Sequence, residues 1–237
     1  MSQRSNEYGQ PIGVAVPDWT ERPRPARVVL QGQYSRIEPV DVARHAADLF
    51  EAYMEAPDGR YWTYLFSERP EAAESFSAYL SNLSRSQDPL HYTILDAAAN
   101  RAVGTAALMR IEPVHGVIEV GSITFAPRMQ GTRIGTEAMY LLARYVFDEL
   151  GYRRYEWKCD SLNAPSRRAA LRYGFSFEGI FRQAILYKGR NRDTAWYSII
   201  SPEWPLLRAA FESWLQPTNF DEAGRQKRSL AEIRSAL

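Results

Sequence analysis

The sequence predicts one mixed α/β domain, and two observations lead to this prediction. Stretches with helical spacing of apolar residues alternate with stretches of strand-like alternation, in the order two helices, several strands, then strands and helices in turn. A strand, a helix and a second strand follow one another between residues 117 and 160. Because such a crossover returns in the same direction, this segment predicts a parallel pair inside a mostly antiparallel sheet.

The N-terminal third is predicted to hold an extended arm and two helices. Residues 1–26 contain four prolines and few large apolar side chains, which favours an arm that Trp19 docks onto the body. Asp41 is a good N-cap for the first helix. The expected elements are short strands near 27–30 and 34–37, a helix from Asp41 to about Met54, and a second helix over 70–84.

Strands and helices then alternate up to a C-terminal tail. The central strand, 117–125, is rich in β-branched and aromatic residues and stops at Pro127, which cannot donate to a ladder. The helix behind it ends at Gly151, a common C-terminal cap. Further strands are expected at 91–96, 101–111, 154–160, 176–186 and 194–200, with helices at 136–150, 163–174 and 204–215 and a helical tail over 219–237.

The composition narrows the class of protein. The chain has 237 residues, a formal net charge of +1 and one cysteine. The charge argues against a nucleic acid or a membrane surface as the main partner, and one cysteine cannot form an internal disulfide. With no apolar run at the N-terminus and no stretch of the ~18 apolar residues that span a bilayer, we expect a cytoplasmic protein. A monomer and a homodimer are both compatible with the sequence.

The loop at residues 128–135, between the central strand and its helix, is the first candidate site. Backbone N–H groups at a helix start lack partners and lie at the positive end of the helix dipole, so they bind anions such as a pyrophosphate. The loop matches neither the G-x-x-x-x-G-K-[ST] nor the G-x-G-x-x-G phosphate motif. The alternative interpretation is an ordinary glycine-containing turn.

Two motifs together resemble the GNAT superfamily of acetyl-CoA-dependent N-acetyltransferases. Gln130-Gly-Thr-Arg-Ile-Gly135 resembles its pyrophosphate motif, and Asn163-Ala-Pro-Ser166 with Tyr173-Gly-Phe-Ser-Phe-Glu-Gly179 resembles its second cofactor motif. The resemblance covers residues 27–200 and is strongest to the branch with ribosomal-protein N-terminal acetyltransferases. It implies a GNAT-like domain over 27–216, followed by a tail over 217–237. It also implies a parallel pair splayed around the cofactor, with helices on both faces.

The resemblance implies acetyl-CoA as co-substrate. The pyrophosphate would be bound by the loop, the pantetheine by the central strand and Asn163, and an outer phosphate by Arg167 or Arg168. The implied cofactor residues are Ile123, Phe125, Gln130, Gly131, Thr132, Arg133, Ile134, Gly135, Thr136, Asn163, Ser166 and Arg167.

Three groups are implied in catalysis. The backbone N–H of Phe125 would donate to the thioester oxygen, and Ser166 would protonate the leaving thiolate. Glu119, on the central strand, could deprotonate the amine through a water molecule. The alternatives are that Ser166 only begins a helix and that Glu119 only forms a salt bridge within the sheet.

The chain departs from the family pattern at several positions. Arg133 replaces the first motif glycine, Ala170 stands where many members have a tyrosine acid, and Ile185 stands where serine-specific ribosomal enzymes have a glutamate. The base is therefore left open. Cys159 lacks a nearby His-Asp signal and is expected to be a buried thiol. The three histidines do not cluster at ligand spacing, so no metal site is expected.

The aromatic segment 60–66 is the candidate acceptor site. Tyr61, Trp62 and Tyr64 could line a groove for the acceptor or pack in the core. The predicted function is acetyl transfer to a primary amine by direct attack in a ternary complex, with a protein or peptide N-terminus as one acceptor class. The alternatives are a small-molecule amine acetyltransferase and a non-catalytic acyl-CoA-binding module.

Overall fold

The computed structural model describes residues 4–237, which fold around one eight-stranded sheet. The strands of this sheet lie in the order β3-β4-β5-β6-β7-β8-β10-β9, and all neighbours are antiparallel except β7 and β8. Two strands of the arm, β1 (Arg4–Ser5) and β2 (Pro11–Ile12), pair separately. The sheet strands are β3 (Leu30–Gln31), β4 (Ser35–Pro39), β5 (Leu90–Asp96), β6 (Arg101–Glu112), β7 (Val117–Phe125), β8 (Arg154–Asp160), β9 (Ser176–Tyr187) and β10 (Arg190–Ile200).

Helices cover both faces of the sheet, which confirms the predicted fold class. The core on one face contains α1 and α2, and the larger core on the other face contains α3, α5 and α6. The predicted cap of the first helix is present, since the Asp41 side chain accepts from the Arg44 N–H at 3.1 Å. The helices are α1 (Val42–Met54), α2 (Ala73–Arg85), α3 (Arg133–Arg144), α4 (Ala164–Arg172), α5 (Trp204–Trp214) and α6 (Leu230–Ser235).

The central parallel pair separates part-way along its length. β7 and β8 pair only from Val117 with Arg154 to Val120 with Trp157. Beyond that point β7 carries an extra residue relative to β6, and Ser122 adopts a left-handed φ of 49°. A bulge of this kind bends its strand. The ends of β7 and β8 therefore splay apart and leave a gap between them.

A buried carboxylate from α3 anchors the far edge of the sheet. Glu137 accepts the backbone N–H groups of Gln33, Tyr34 and Ser35 at 2.9, 2.7 and 2.6 Å, and the hydroxyl of Ser35 at 3.0 Å. These bonds join residues more than a hundred positions apart. They hold α3, and with it the loop before α3, at a fixed place on the sheet.

The C-terminal tail is less helical than the sequence predicts. Only Leu230–Ser235 is helical, and it begins with a capping box formed by Ser229 and Glu232. The helix cannot extend back through the preceding segment because Gly224 has a left-handed φ of 74° within a turn that starts at Asp221.

Three other predicted boundaries shift. α3 begins at Arg133 rather than at 136, so residues 133–135 of the predicted loop form its first turn. The helix behind β7 leaves α geometry after Arg144 and ends in a π-type turn over Tyr145–Glu149. The last strand begins at Arg190 rather than at 194, so it includes Arg192.

In the arm, the Trp19 indole N–H donates to the Val114 carbonyl oxygen at 2.8 Å and fixes the arm beside the β6–β7 turn.

Candidate active site

The gap between β7 and β8 presents backbone donors. The Ala126 N–H bonds the Val103 carbonyl oxygen at 3.0 Å, on the side of β6. Phe125 pairs with Gly104, and in an antiparallel ladder successive residues direct their N–H groups to opposite sides. The Phe125 N–H is therefore directed away from β6 and into the gap, the orientation that its implied role as a carbonyl donor requires.

The loop before α3 also presents unpaired donors. The N–H groups of Gly131, Arg133 and Ile134 have no acceptor among residues 4–237, while the Thr132 hydroxyl caps Gly135 at 3.4 Å. Gly131 has a left-handed φ of 72°, and no atom lies within 4 Å of the place a Cβ would take. Free N–H groups at the start of a twelve-residue helix fit a pyrophosphate.

The side chain of Arg133 leaves this loop open. Its guanidinium lies between the rings of Tyr34 and Phe220, 4.8 and 4.7 Å from their centres. The replacement of the motif glycine by arginine therefore places no side chain against the free N–H groups. The neighbouring Gly135 has no such room, because a Cβ there would lie 3.2 Å from the Phe125 ring and 3.3 Å from the Met129 carbonyl oxygen.

The start of α4 brings Ser166 to the end of β8. Asn163 caps the helix by accepting the Ser166 N–H at 3.1 Å, and the Trp157 indole N–H donates to the Ser166 Oγ at 2.9 Å. Burial raises the pKa of the Cys159 thiol, and a hydrogen bond with Ser166 partly offsets that rise. The serine hydroxyl therefore lies among β8 side chains with its own proton available to an acceptor. Ala170, at the position of the expected tyrosine acid, is fully buried.

Glu119 is a buried carboxylate with two cationic neighbours. Its Oε2 lies 3.0 Å from Arg110 Nε and 3.0 Å from Lys158 Nζ. Burial raises the pKa of Glu119 above its ordinary value of 4.5, and the two cations offset part of the rise. Both interpretations of this residue are therefore compatible with the structure, since Glu119 forms salt bridges and also faces the cavity described next.

A cavity of about 350 Å³ lies on the α1 and α2 face of the sheet, beside the gap. It brings together Glu119, Ile123, Asn163, Ser166 and Tyr64 from the predicted site. Its other walls include Tyr79, His91, Met109, Arg110, Trp157, Lys158, Cys159, Asp160 and Arg192. Phe125 and the loop before α3 do not line it, as expected if cofactor and acceptor approach from different sides.

Residues 64–67 line this cavity, but the aromatic residues of the predicted acceptor segment, 60–66, differ in position. Trp62 is buried against the rings of Tyr53 and Tyr79 in the α1 and α2 core, and Tyr61 is 42% exposed. Only Tyr64 of the three predicted acceptor residues lines the cavity, and its hydroxyl donates to the Leu162 carbonyl oxygen at 3.3 Å. Of the two interpretations of this segment, core packing is the one that applies to Trp62.

Arg167 is directed away from the outer-phosphate position that the motif implied for it. The Arg167 guanidinium donates to the Tyr197 hydroxyl at 3.1 Å and the Ser161 carbonyl oxygen at 3.2 Å, which directs it toward β10. The Arg172 guanidinium instead donates to the Thr136 hydroxyl at 3.0 Å, in the first turns of α3. Arg172 is thus the α4 arginine that contacts the helix of the candidate phosphate site, and sequence reasoning did not select it.

Three further cavity residues were missed: His91, Lys158 and Arg192. Burial lowers the pKa of His91 to about 4, so its ring is neutral at pH 7. The strand register contained a signal for Lys158, because alternation along β8 places it on the same face as Glu156 and Asp160, opposite Trp196 of β10. Among residues 4–237, no group of three His, Cys, Asp or Glu side chains is arranged to hold a metal ion.

Comparison with known families agrees with this geometry. The family profile described as acetyltransferase (GNAT) domain matches residues 36–176. The chain belongs to the GNAT acetyltransferase family. It is therefore an acyltransferase, and GNAT enzymes take their acetyl group from acetyl-CoA. None of the helices within residues 4–237 has the length and apolar character to cross a membrane.

Individual relatives cover most or part of this GNAT chain. A crystal structure of a GCN5-related N-acetyltransferase from Brucella melitensis is 48% identical, with a TM-score of 0.91, and the match covers 93% of this chain and 100% of that one. The probable N-acetyltransferase YjcK of Bacillus subtilis is 28% identical over 186 residues, 74% of this chain and 98% of its own. The ribosomal-protein-serine acetyltransferase of Escherichia coli is 31% identical over 98 residues, 41% of this chain and 54% of its own. These matches confirm the predicted resemblance.

Proposed function

We propose that this GNAT protein transfers acetyl from acetyl-CoA to a primary amine by direct attack in a ternary complex. The observation that carries the proposal is the cavity in which Ser166, Glu119 and the Ile123 edge of the β7–β8 gap face one another. The β7–β8 gap and the loop before α3 supply unpaired N–H groups suited to the cofactor. The cavity supplies an enclosed space for an amine. A non-catalytic module would not need an ionisable carboxylate at this place.

Each group has a defined part in the proposed reaction. The amine nitrogen attacks the acetyl carbonyl carbon, and the Phe125 N–H donates to the carbonyl oxygen as negative charge develops there, a contribution of ~3 kcal/mol. The C–S bond then breaks, and Ser166 gives its proton to the thiolate. Glu119 accepts the proton that the nitrogen loses, through a water molecule. The products are the N-acetylated amine and free CoA.

The charges around the cavity favour the neutral amine. Arg110, Lys158 and Arg192 all face it, and nearby cations lower the pKa of an amine. A terminal α-amine, with an ordinary pKa of ~8, needs less help from a base than a lysine amine at ~10.4. We therefore propose α-amines as the preferred acceptors.

Two acceptor classes have specific support. The similarity to a ribosomal-protein-serine acetyltransferase favours a peptide or protein N-terminus. The cavity, at about 350 Å³ and lined on one side by residues 64–67, also has a volume suited to a small molecule. The peptide N-terminus remains our first proposal.

A panel of peptides and small amines tests the proposal. The purified protein is incubated with acetyl-CoA and each amine, free thiol is measured over time, and the acetylated product is identified by mass spectrometry. We expect amine-dependent release of CoA with at least one α-amine. Cofactor binding without turnover of any amine would favour the non-catalytic module instead.

A further inference from the structure

Arg192 is a buried cation without an acidic partner. Its exposure is 7%, and no carboxylate oxygen within residues 4–237 lies within 4 Å of its guanidinium. The other cations of the cavity differ, because Arg110 and Lys158 both pair with Glu119. The cross-strand neighbour of Arg192 on β9 is the apolar Ile185, which cannot neutralise it.

The surroundings of Arg192 hold its guanidinium in place and leave its end free. Nε donates to the Thr194 hydroxyl at 3.2 Å, whereas the two terminal nitrogens have no acceptor among the described residues. The rings of Phe66 and Tyr187 lie 5.5 and 5.9 Å from its central carbon. Arg192 lines the same cavity as Glu119 and Ser166.

Asp160, an acidic residue of the cavity wall, bonds groups other than Arg192. The Asp160 carboxylate accepts the Tyr187 hydroxyl at 2.7 Å and the Leu162 N–H at 2.9 Å. Both oxygens of the Asp160 carboxylate therefore accept hydrogen bonds from groups other than Arg192. The cavity walls carry three cations, and of these Arg110 pairs with Glu119 and Lys158 pairs with Glu119 and Glu156, which leaves Arg192 as the cation without a carboxylate among residues 4–237.

The buried guanidinium of Arg192 is energetically unfavourable without an anion to pair with it. Removing a guanidinium from water costs free energy, and an opposite charge with good hydrogen-bond geometry recovers it. A planar guanidinium with a free end matches a carboxylate, which accepts two parallel N–H bonds. A doubly charged phosphate fits less well, because the Glu119 and Asp160 carboxylates line the same cavity.

We infer that Arg192 binds a carboxylate carried by the acceptor, so that the acceptor class is primary amines bearing a carboxylate near the reacting nitrogen. The inference rests on the proposed acetyl transfer and adds the acceptor's second functional group. The carboxylate comes from one of two sources, the α-carboxylate of a free amino acid or an acidic side chain next to a peptide N-terminus. Arg192 then sets the distance between that group and the amine.

Matched acceptor pairs test the inference on the wild-type protein. The peptide pair is Ala-Glu-Gly-amide and Ala-Gln-Gly-amide, which have the same shape and one carboxylate of difference. The amino-acid pair is alanine and alaninamide. We expect kcat/KM to be at least tenfold higher for the carboxylate member of one pair, mainly through KM, and the pair that shows the preference identifies the source.

The variant Arg192→Met removes the charge and keeps most of the apolar stem. We expect it to reduce the preference to within twofold, with KM for acetyl-CoA within threefold of wild type. Arg192→Lys keeps the charge but loses the planar guanidinium that donates two parallel N–H bonds. It should retain part of the preference. Arg182→Gln, on the exposed face of β9 and outside the cavity, is the matched control and should retain all of it.

The possible outcomes separate the inference from the proposed function. Turnover of amines without a carboxylate preference, or a preference that survives in Arg192→Met, overturns the inference and leaves acetyl transfer intact. No turnover of any amine contradicts acetyl transfer, and binding then decides the inference. In that case, calorimetry with Ala-Glu-Gly-amide on the acetyl-CoA-loaded protein must show at least tenfold tighter binding to wild type than to Arg192→Met. Equal binding overturns it, and circular dichroism verifies that the variant is folded.

Discussion

The Trp157 indole N–H donates to the Ser166 Oγ across 2.9 Å. An indole can only donate, so this bond uses an acceptor lone pair of the serine and leaves the hydroxyl proton for another group. The same serine meets Cys159, so sulfur is already among its neighbours. A leaving thiolate placed in the gap would find a positioned proton donor.

Ser166→Ala should therefore lower kcat about ten- to a hundredfold, with little change in acetyl-CoA affinity. The helix cap survives the change, because Asn163 accepts from the backbone of residue 166. Loss of the Trp157 bond should cost only ~1 kcal/mol of unfolding free energy. Ser176→Ala, on exposed β9, is the control. Normal kcat in a merely less stable Ser166→Ala protein would end the catalytic role.

Gly135→Val should weaken acetyl-CoA binding at least tenfold, about 1.4 kcal/mol. The added side chain would press on the Phe125 ring and the Met129 carbonyl oxygen, moving the loop donors relative to β7. Isothermal titration calorimetry measures the affinity. Gly59→Val, where no atom lies within 4 Å, should bind like wild type. If both variants bind acetyl-CoA equally well with the fold intact, the pyrophosphate does not bind at this loop.

Tyr64→Ala should raise the KM of the acceptor more than that of acetyl-CoA, because Tyr64 lines the acceptor cavity and not the cofactor gap. Tyr61→Ala should leave both values near wild type, since Tyr61 lies outside the cavity. Trp62→Ala should mainly destabilise the fold, by about 3–5 kcal/mol, because it removes a buried aromatic side chain. Steady-state kinetics and thermal melting of the three variants measure these differences. A rise in the acetyl-CoA KM with Tyr64→Ala would count against this division of sites.

The pH profile of kcat/KM should have an acid limb with a midpoint above the ordinary glutamate range. Burial raises the pKa of Glu119 above 4.5, so its base form is lost as pH falls through that raised value. Protonation of a group with a raised folded-state pKa stabilises the fold, so this loss of activity is not unfolding. Glu119→Gln should lower kcat/KM and remove the part of the limb that Glu119 causes, leaving only the ionisation of the amine itself. Glu112→Gln, on an exposed position of β6, should keep both parts. An unchanged limb in Glu119→Gln would assign the base elsewhere.

Glu137→Gln should destabilise the protein by about 2–4 kcal/mol, because an amide presents N–H groups to backbone donors that now bond a carboxylate. Denaturant unfolding measures the change, and Glu149→Gln, which is exposed, is the control. A change below 1 kcal/mol would mean that other contacts hold the β3–β4 turn against α3.

Local signals predicted much of this structure. The cap at Asp41 and the end of the central strand before Pro127 depend on residues a few positions apart, and each lies where the sequence indicated. The loop before α3 is also present, but it is shorter than predicted because the helix begins at Arg133. Glu137 could not be identified, because its partners are more than a hundred residues away. Nor could periodicity separate Trp62 from Tyr64, since a single 3₁₀ turn has no repeating face.

Arg192 illustrates the same limit within the active site. Because the sequence predicts that the last strand begins at 194, it places Arg192 in the preceding turn, where an arginine is usually exposed. Its guanidinium lies near the ring of Phe66, in the segment before α2, and the ring of Tyr187, on β9. Such an environment depends on tertiary contacts that no local pattern contains.

Initial-rate kinetics of the wild-type protein, with acetyl-CoA and the best amine of the panel both varied, test the central claim most directly. Direct attack in a ternary complex predicts amine-dependent release of CoA and intersecting double-reciprocal lines. Parallel lines with acetylated Cys159 found by mass spectrometry would contradict it, because the acetyl group would then pass through an acyl-enzyme.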